Sequence, residues 1–139
     1  MAVKSVLFAE GSFTAKSYYD AVGKQGDGIG GLMPYVSSYE SPASKDFVAT
    51  YKAAYGEVPN NNAAGGFEEL SIITGALKAA GRADPEAVRD AIAKSTTSGP
   101  AGEIKFNEKG QGYGFNVFLT KNEDAKPVIT ASALVQKPD

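Results

Sequence analysis

The chain has 139 residues, of which 42% are hydrophobic and 22% charged, the balance of one ordinary folded domain; this argues against disorder. Fourteen basic and sixteen acidic residues leave a formal charge of −2, and their intermixing offers no basic stripe for a phosphate backbone, so no nucleic acid partner is expected. Histidine and cysteine are both absent, which removes Ser-His-Asp and Cys-His nucleophiles, zinc sites built on those ligands and any disulfide.

The opening residues, Met1 to Ser5, lead into an apolar run that Glu10 already interrupts, so no signal peptide is read there and any export signal is expected outside this sequence. No stretch approaches the ~20 apolar residues of a membrane span. Val3 to Ala9, around Val6-Leu7-Phe8, reads as a short strand of the parallel type. Glu10-Gly11-Ser12 breaks it, and a helix is expected from Phe13 to Lys24 with Ser12 as its cap. A loop through Gly28 and a strand from Ile29 to Val36 follow.

The middle third is helical. Ser41-Pro42 has the form of a helix start, and Phe47, Val48, Tyr51, Ala54 and Tyr55 recur on one face before Gly56 and Pro59. A second helix is expected from Ala63 to Ala80, presenting Phe67, Leu70, Ile73 and Leu77, with Asn60 to Asn62 as a solvated loop before it. Asp84-Pro85 starts a third, with Val88, Ala91 and Ile92 on its buried face, fading at 95–100. The period then becomes alternating, and strands are expected at 102–106, 114–120 and 127–135, with turns at 107–110 and 121–126.

One βαβ unit, three successive helices and a terminal antiparallel pair make a lopsided α/β inventory. The helices carry apolar faces with too few strands to receive them, so the chain is expected to be a piece of a larger protein whose other portion supplies most of the sheet, and self-association of this segment is expected. Gly26 to Gly31 spells G-x-G-x-x-G, but a strand follows it where a dinucleotide site needs a helix. Glu68, Glu69 and Glu108 read as solvated charges, not an acid-base pair.

Four blocks carry a resemblance. Phe47-Val-Ala-Thr-Tyr-Lys-Ala-Ala-Tyr-Gly-Glu-Val-Pro59 is similar to the F-x-x-x-Y-x-x-x-Y/F-G-x-x-P segment of type I periplasmic solute-binding proteins of the branched-chain amino acid ABC transporter class. Residues Ala64 to Gly81 resemble the helix that follows there, Asp84 to Ala93 the next, and Gly99-Pro-Ala-Gly-Glu-Ile-Lys-Phe-Asn-Glu-Lys-Gly110 the family's G-x-x-G-x-v-x-F-d-x-x-G turn. Their order and spacing cover nearly the whole chain, as a C-terminal segment of such a protein.

The resemblance implies an α/β fold, part of two lobes with doubly wound parallel sheets joined by a hinge that the chain crosses three times. Residues 1–34 would close the second lobe, 35–110 would belong to the first, and 111–139 would return to the second. The implied role is ligand binding without catalysis or cofactor: an amino acid or similar carboxylated molecule is trapped between lobes, outside the cytoplasm, and passed to ABC permease subunits. The alternative is a receptor or regulator that senses a ligand with the same lobes.

Glu10, at the carboxyl end of a strand, matches the acidic residue that holds the ligand's ammonium group in amino acid binders of this family. Ser12 and Phe13 either line the cleft or serve as cap and staple of the following helix. Asn62, counted back from Phe67, matches a first-lobe position facing the ligand side chain. Pro34, Tyr35 and Tyr39 flank the first crossing and Tyr113 the second, the tyrosines either closing over a ligand or filling the lobe interface.

Overall fold

In the computed structural model, residues 8–10 and 16–139 are described; Ser12, Phe13 and the expected strand residues before Phe8 lie outside them. The order is β1 (Phe8–Glu10), α1 (Lys16–Val22) with a tight 3₁₀ turn at Gly23–Gly26, β2 (Gly30–Met33), α2 (Pro42–Tyr55), α3 (Asn61–Ala80), α4 (Pro85–Ala93), β3 (Thr96–Gly99), β4 (Gly102–Phe106), β5 (Gly112–Glu123) and β6 (Lys126–Leu134).

Local chemistry sets the helix ends. Ser41 accepts the Ser44 N–H at 3.1 Å with Pro42 in the first turn, and Asp84 accepts the Ala87 N–H at 2.9 Å with Pro85 behind it. α3 begins two residues earlier than its apolar pattern indicates, because Asn60 is the cap and accepts the Ala63 N–H at 3.0 Å. The asparagine run is therefore a cap and a first helical turn. Each cap satisfies an otherwise orphaned donor, worth about 1 kcal/mol. Gly56 and Gly81 end α2 and α3 with φ of 75° and 66°, the left-handed conformation that glycine adopts without penalty.

The strands form one sheet in the order β1-β2-β5-β4-β3, with β6 also paired to β5. β1 and β2 are parallel, and the remaining pairings are antiparallel. β5 joins the two halves: Gly112 to Phe115 pair with β4, whereas Phe118 to Lys121 pair with β2. Asn116 and Val117 mark the changeover. β6 runs beside β5 from Asn116 to Glu123 and closes a two-residue hairpin turn at Asp124 and Ala125, whose positive φ values suit the right-handed twist of the strands.

Two expectations need correction. Residues 96–99 are a strand: Thr96 to Gly99 pair with Gly102 to Lys105. Residues 121–123 are not part of a turn but extend β5 opposite Lys126 to Val128. The helix expected from Phe13 to Lys24 is described as α1 only from Lys16, and it tightens into the 3₁₀ turn at Gly23, where φ is positive.

The core sits at the changeover. Met33, Tyr35, Val36, Phe47, Ala64, Ala101 and Phe118 form one buried cluster, drawn from β2, the segment after it, α2, α3, the β3–β4 turn and β5. α4 packs on α3 with Val88, Ala91 and Ile92 half-buried. By contrast Phe67, Leu70, Ile73 and Leu77 of α3 remain 48%, 64%, 44% and 38% exposed, a row that no described strand covers. An apolar row of this length is the kind of surface that another packed layer occupies.

Candidate functional site

β1 and β2 run parallel with Glu10 opposite Leu32, so the carboxyl ends of both strands lead to the changeover region. Ligands of parallel α/β sheets bind beyond such strand ends. Glu10 closes β1 in its backbone register; its side chain lies outside the described residues.

A crevice of 640 Å³ opens beside the segment that follows β2. Tyr35 to Ser38 line it together with the α2–α3 loop from Gly56 to Asn61, and Tyr19 of α1 and residues 125–127 line it from the β5–β6 end. Its surface combines tyrosine and serine hydroxyls, asparagine amides and apolar patches, with Glu57 and Lys126 as its charged groups. This mixture of apolar body and a few polar groups is typical of small-molecule sites.

Two tyrosines fix the crevice. Tyr35 is buried; its hydroxyl shares a 3.0 Å hydrogen bond with Ser44 Oγ, and its ring meets Phe47 edge-on at 5.9 Å. Burial raises its pKa, the Ser44 hydrogen bond opposes this, and the nearby Glu68 carboxylate adds to it. Tyr19 donates from its hydroxyl to Asn122 Oδ1 at 2.9 Å, while Asn122 Nδ2 is buried without a hydrogen-bond partner. Burial first, then Tyr18 and Asp27, pushes the Tyr19 phenol up to about 12, so both phenols stay neutral at physiological pH.

The residues singled out from the sequence are distributed unevenly. Tyr35 lines the crevice. Tyr39 is half-buried with its ring against Phe118 at 4.8 Å, accepting a 3.3 Å hydrogen bond from Asn116 Nδ2. Pro34 is exposed between β2 and Tyr35. Asn62 is exposed in the first turn of α3 and stands outside the crevice lining, whereas its neighbours Asn60 and Asn61 belong to it. Tyr113 faces Lys105 across β4–β5 and lies away from the crevice.

Sequence reasoning missed Tyr19, Asn116 and Asn122. Asn116 had a readable signal, a single amide inside the apolar run Phe115 to Phe118; Tyr19 and Asn122 had none, since their partnership spans 103 residues.

Glu68 is a correction. It is not a solvated charge: it is half-buried on α3, accepts the Ala101 N–H at 3.4 Å, and lies so close to Gly99 that a Cβ there would collide with its carboxylate. Glu69 and Glu108 are exposed, and a hydrogen bond from its own backbone N–H, followed by Lys137 bonded at 3.1 Å, holds the Glu108 carboxyl below its usual value. Desolvation raises the Glu68 pKa, partly offset by the Ala101 N–H. A carboxyl whose folded pKa is raised stabilises the fold fully below its unfolded value near 4.5 and loses that contribution as pH rises through the folded value. Glu68→Gln is therefore expected to flatten this acidic limb without lowering stability at pH 7, checked by urea unfolding from pH 4 to 8; an unchanged pH profile refutes it.

Among the described residues no group of three or more acidic side chains converges as a metal site, and no helix is long and apolar enough to cross a membrane.

The profile of the periplasmic binding protein family matches residues 3–126. Among solved structures, a leucine-binding protein from Thermotoga maritima is 23% identical with a TM-score of 0.82, over 94% of this chain and 37% of its own. A branched-chain amino acid transporter substrate-binding protein from Streptococcus pneumoniae, solved with isoleucine, is 19% identical with a TM-score of 0.80, over 96% and 38%. An ABC transporter solute-binding protein from R. palustris, solved with benzoate, is 25% identical with a TM-score of 0.75, over 86% and 34%. Curated protein sequences give no significant match. The chain thus spans 34% to 38% of the length of these three structures. A profile match across most of the sequence, together with a mixed sheet whose long strand is shared by two halves, leads to one statement: the chain belongs to the periplasmic binding protein family and carries part of its two-lobed type I fold.

Proposed function

We propose that this chain is part of the ligand-binding component of an ABC transporter, holding an amino acid or related carboxylated solute in a cleft between two lobes, outside the cytoplasm, for delivery to permease subunits. It binds passively and performs no catalysis. On this reading β1 and β2 belong to one lobe and α2 to β4 to the other, the passages run through Pro34 to Tyr39 and from 111–114 onward, and the successive pairing of β5 with β4 and then with β2 carries the second passage along that strand toward Asn116. Glu10 takes the ligand's ammonium group, with Ser12, Phe13 and Asn62 as further cleft residues. Pro34, Tyr35, Tyr39 and Tyr113 serve the hinge.

The observation that carries the reading is β5, one strand paired in succession to two groups of strands, with a crevice beside the segment that follows β2. Isoleucine and benzoate, the ligands of two similar structures, share a carboxylate on an apolar body. An acidic group at position 10 favours a solute that also carries an ammonium, because a charge-assisted hydrogen bond contributes about 1.5–3 kcal/mol.

Isothermal titration with leucine, isoleucine, valine, small polar amino acids and benzoate tests this. The 139-residue chain alone, with a partial cleft, is expected to bind in the millimolar range or weaker, on the order of −4 kcal/mol. Joined to the remaining portion of a two-lobed protein it is expected to bind an amino acid tightly, with Glu10→Gln weakening that by about 10- to 100-fold. Tight binding by the monomeric chain alone overturns the partial-cleft reading, and failure of every carboxylated solute in the two-lobed form overturns the function.

A further inference from the structure

The chain passes the changeover region several times. The segment after β2 goes through at Tyr39, the β3–β4 turn at Ala101, β5 at Asn116, and the end of β6 at Leu134, which lies opposite Asn116. One side chain bonds to two of the others. Asn116 Nδ2 donates to Ala101 O at 2.8 Å and to Tyr39 Oη at 3.3 Å, while its backbone N–H donates to the same Ala101 carbonyl at 2.9 Å.

The surroundings leave little slack on one side and more on the other. Across β4–β5, a Cβ at Gly102 would lie 3.2 Å from both Gly114 O and Phe115 Cα and 3.4 Å from Asn116 Nδ2, so the backbones there are in near contact. Tyr39, by comparison, is held by its tilted stack on Phe118 and by the longest of the three hydrogen bonds. Rotation of one half against the other strains that bond first, because packed backbones yield less readily than a 3.3 Å contact between a side-chain amide and a phenol.

We propose that Asn116 is the positioning residue of the waist: its amide ties Tyr39 to Ala101 and thereby fixes the angle between the two halves of the chain. Its meaning for binding rests on the two-lobed reading; its test does not. Removing either end of the Asn116–Tyr39 bond leaves the sheet register in place but releases the segment after β2, so the halves sample a wider range of angles.

The chain contains no cysteine, so a pair of spin labels can be placed cleanly, at Ala53→Cys on α2 and Ala131→Cys on β6, both exposed and on opposite sides of the waist. The parent chain is expected to give one narrow distance distribution. Asn116→Ala and Tyr39→Phe are each expected to broaden it by about twofold or more; the double variant is expected to be no broader than Asn116→Ala alone, since that change already removes the bond to Tyr39 along with the one to Ala101. Thr120→Val removes a buried hydroxyl that donates to Gly31 O at 3.2 Å, within the β2–β5 ladder; it is expected to lower stability without widening the distribution.

Unchanged widths for Asn116→Ala and Tyr39→Phe overturn the proposal, as does equal broadening by Thr120→Val, which would reduce Asn116 to general packing. Should Asn116→Ala fail to fold, Tyr39→Phe, which keeps the ring on Phe118, decides alone. A chain whose widths respond as expected but whose two-lobed form binds no carboxylated solute retains the waist and loses the ligand reading.

Discussion

Gly114→Ala is expected to lower stability by about 3 kcal/mol or more, with the thermal midpoint falling by roughly 10 °C. Gly114 has φ of 90°, a conformation that strains any residue with a side chain. A Cβ there would lie 2.6 Å from the Glu103 carbonyl oxygen, a backbone atom of the neighbouring strand that cannot swing aside. Its own N–H donates to Val135 O at 2.8 Å, so displacing it also loosens the end of β6. Gly110→Ala is the control: φ there is 77° but nothing lies within 4 Å of the added carbon, so only the backbone strain of about 1 kcal/mol remains. Thermal unfolding of the two variants side by side measures the difference, and equal losses would mean that β4 and β5 are not in close contact at the waist.

Phe118→Ala is expected to cost about 3–5 kcal/mol, close to the whole stability of many small domains. Phe118 is fully buried, stands opposite Met33 on β2, and receives the ring of Tyr39. Truncation empties space where a strand, a crossing segment and α2 come together, and tightly packed backbones leave little room for collapse. Phe118→Leu keeps most of the volume and is expected to lose less than about 1.5 kcal/mol. Urea unfolding measures both. A loss below about 1.5 kcal/mol for the alanine variant would show that the centre of the fold lies elsewhere.

Much of this architecture was readable because helix ends are written in local chemistry. Ser41-Pro42 and Asp84-Pro85 placed α2 and α4, since cap and proline act within one turn. β3 escaped because Thr96 to Gly99 has neither alternation nor bulk, and its place comes from its pairing with β4. The polar end of β5 looked like a turn for a similar reason: Lys121 and Glu123 are outward residues of a strand whose inward partners, Thr120 and Asn122, are themselves polar and buried.

The site was less accessible to such reading. Glu10 was singled out from a rule about strand ends together with the family resemblance, and the structure describes it as the last residue of β1. The contacts that shape the crevice, Tyr19 to Asn122 and Tyr35 to Ser44, depend on a hydrogen bond between distant segments in the first case and on the burial of a phenol in the second. Neither leaves a periodic trace. Glu68 was misread because helical spacing reveals a residue's face but not that the end of β3, at Gly99, would press against it.

The antiparallel joining of β2 to β5 has a consequence for the nascent polypeptide. Gly31 and the hydroxyl it binds on Thr120 are 89 residues apart, so during synthesis β2 must wait for that whole intervening stretch to be made before its neighbour arrives. The capped helices, whose contacts are local, can form meanwhile. Pairing of β2 with β5 is thus late relative to the synthesis of β2, and the interval in which β2 lacks that neighbour is when its edge is most open to misassembly.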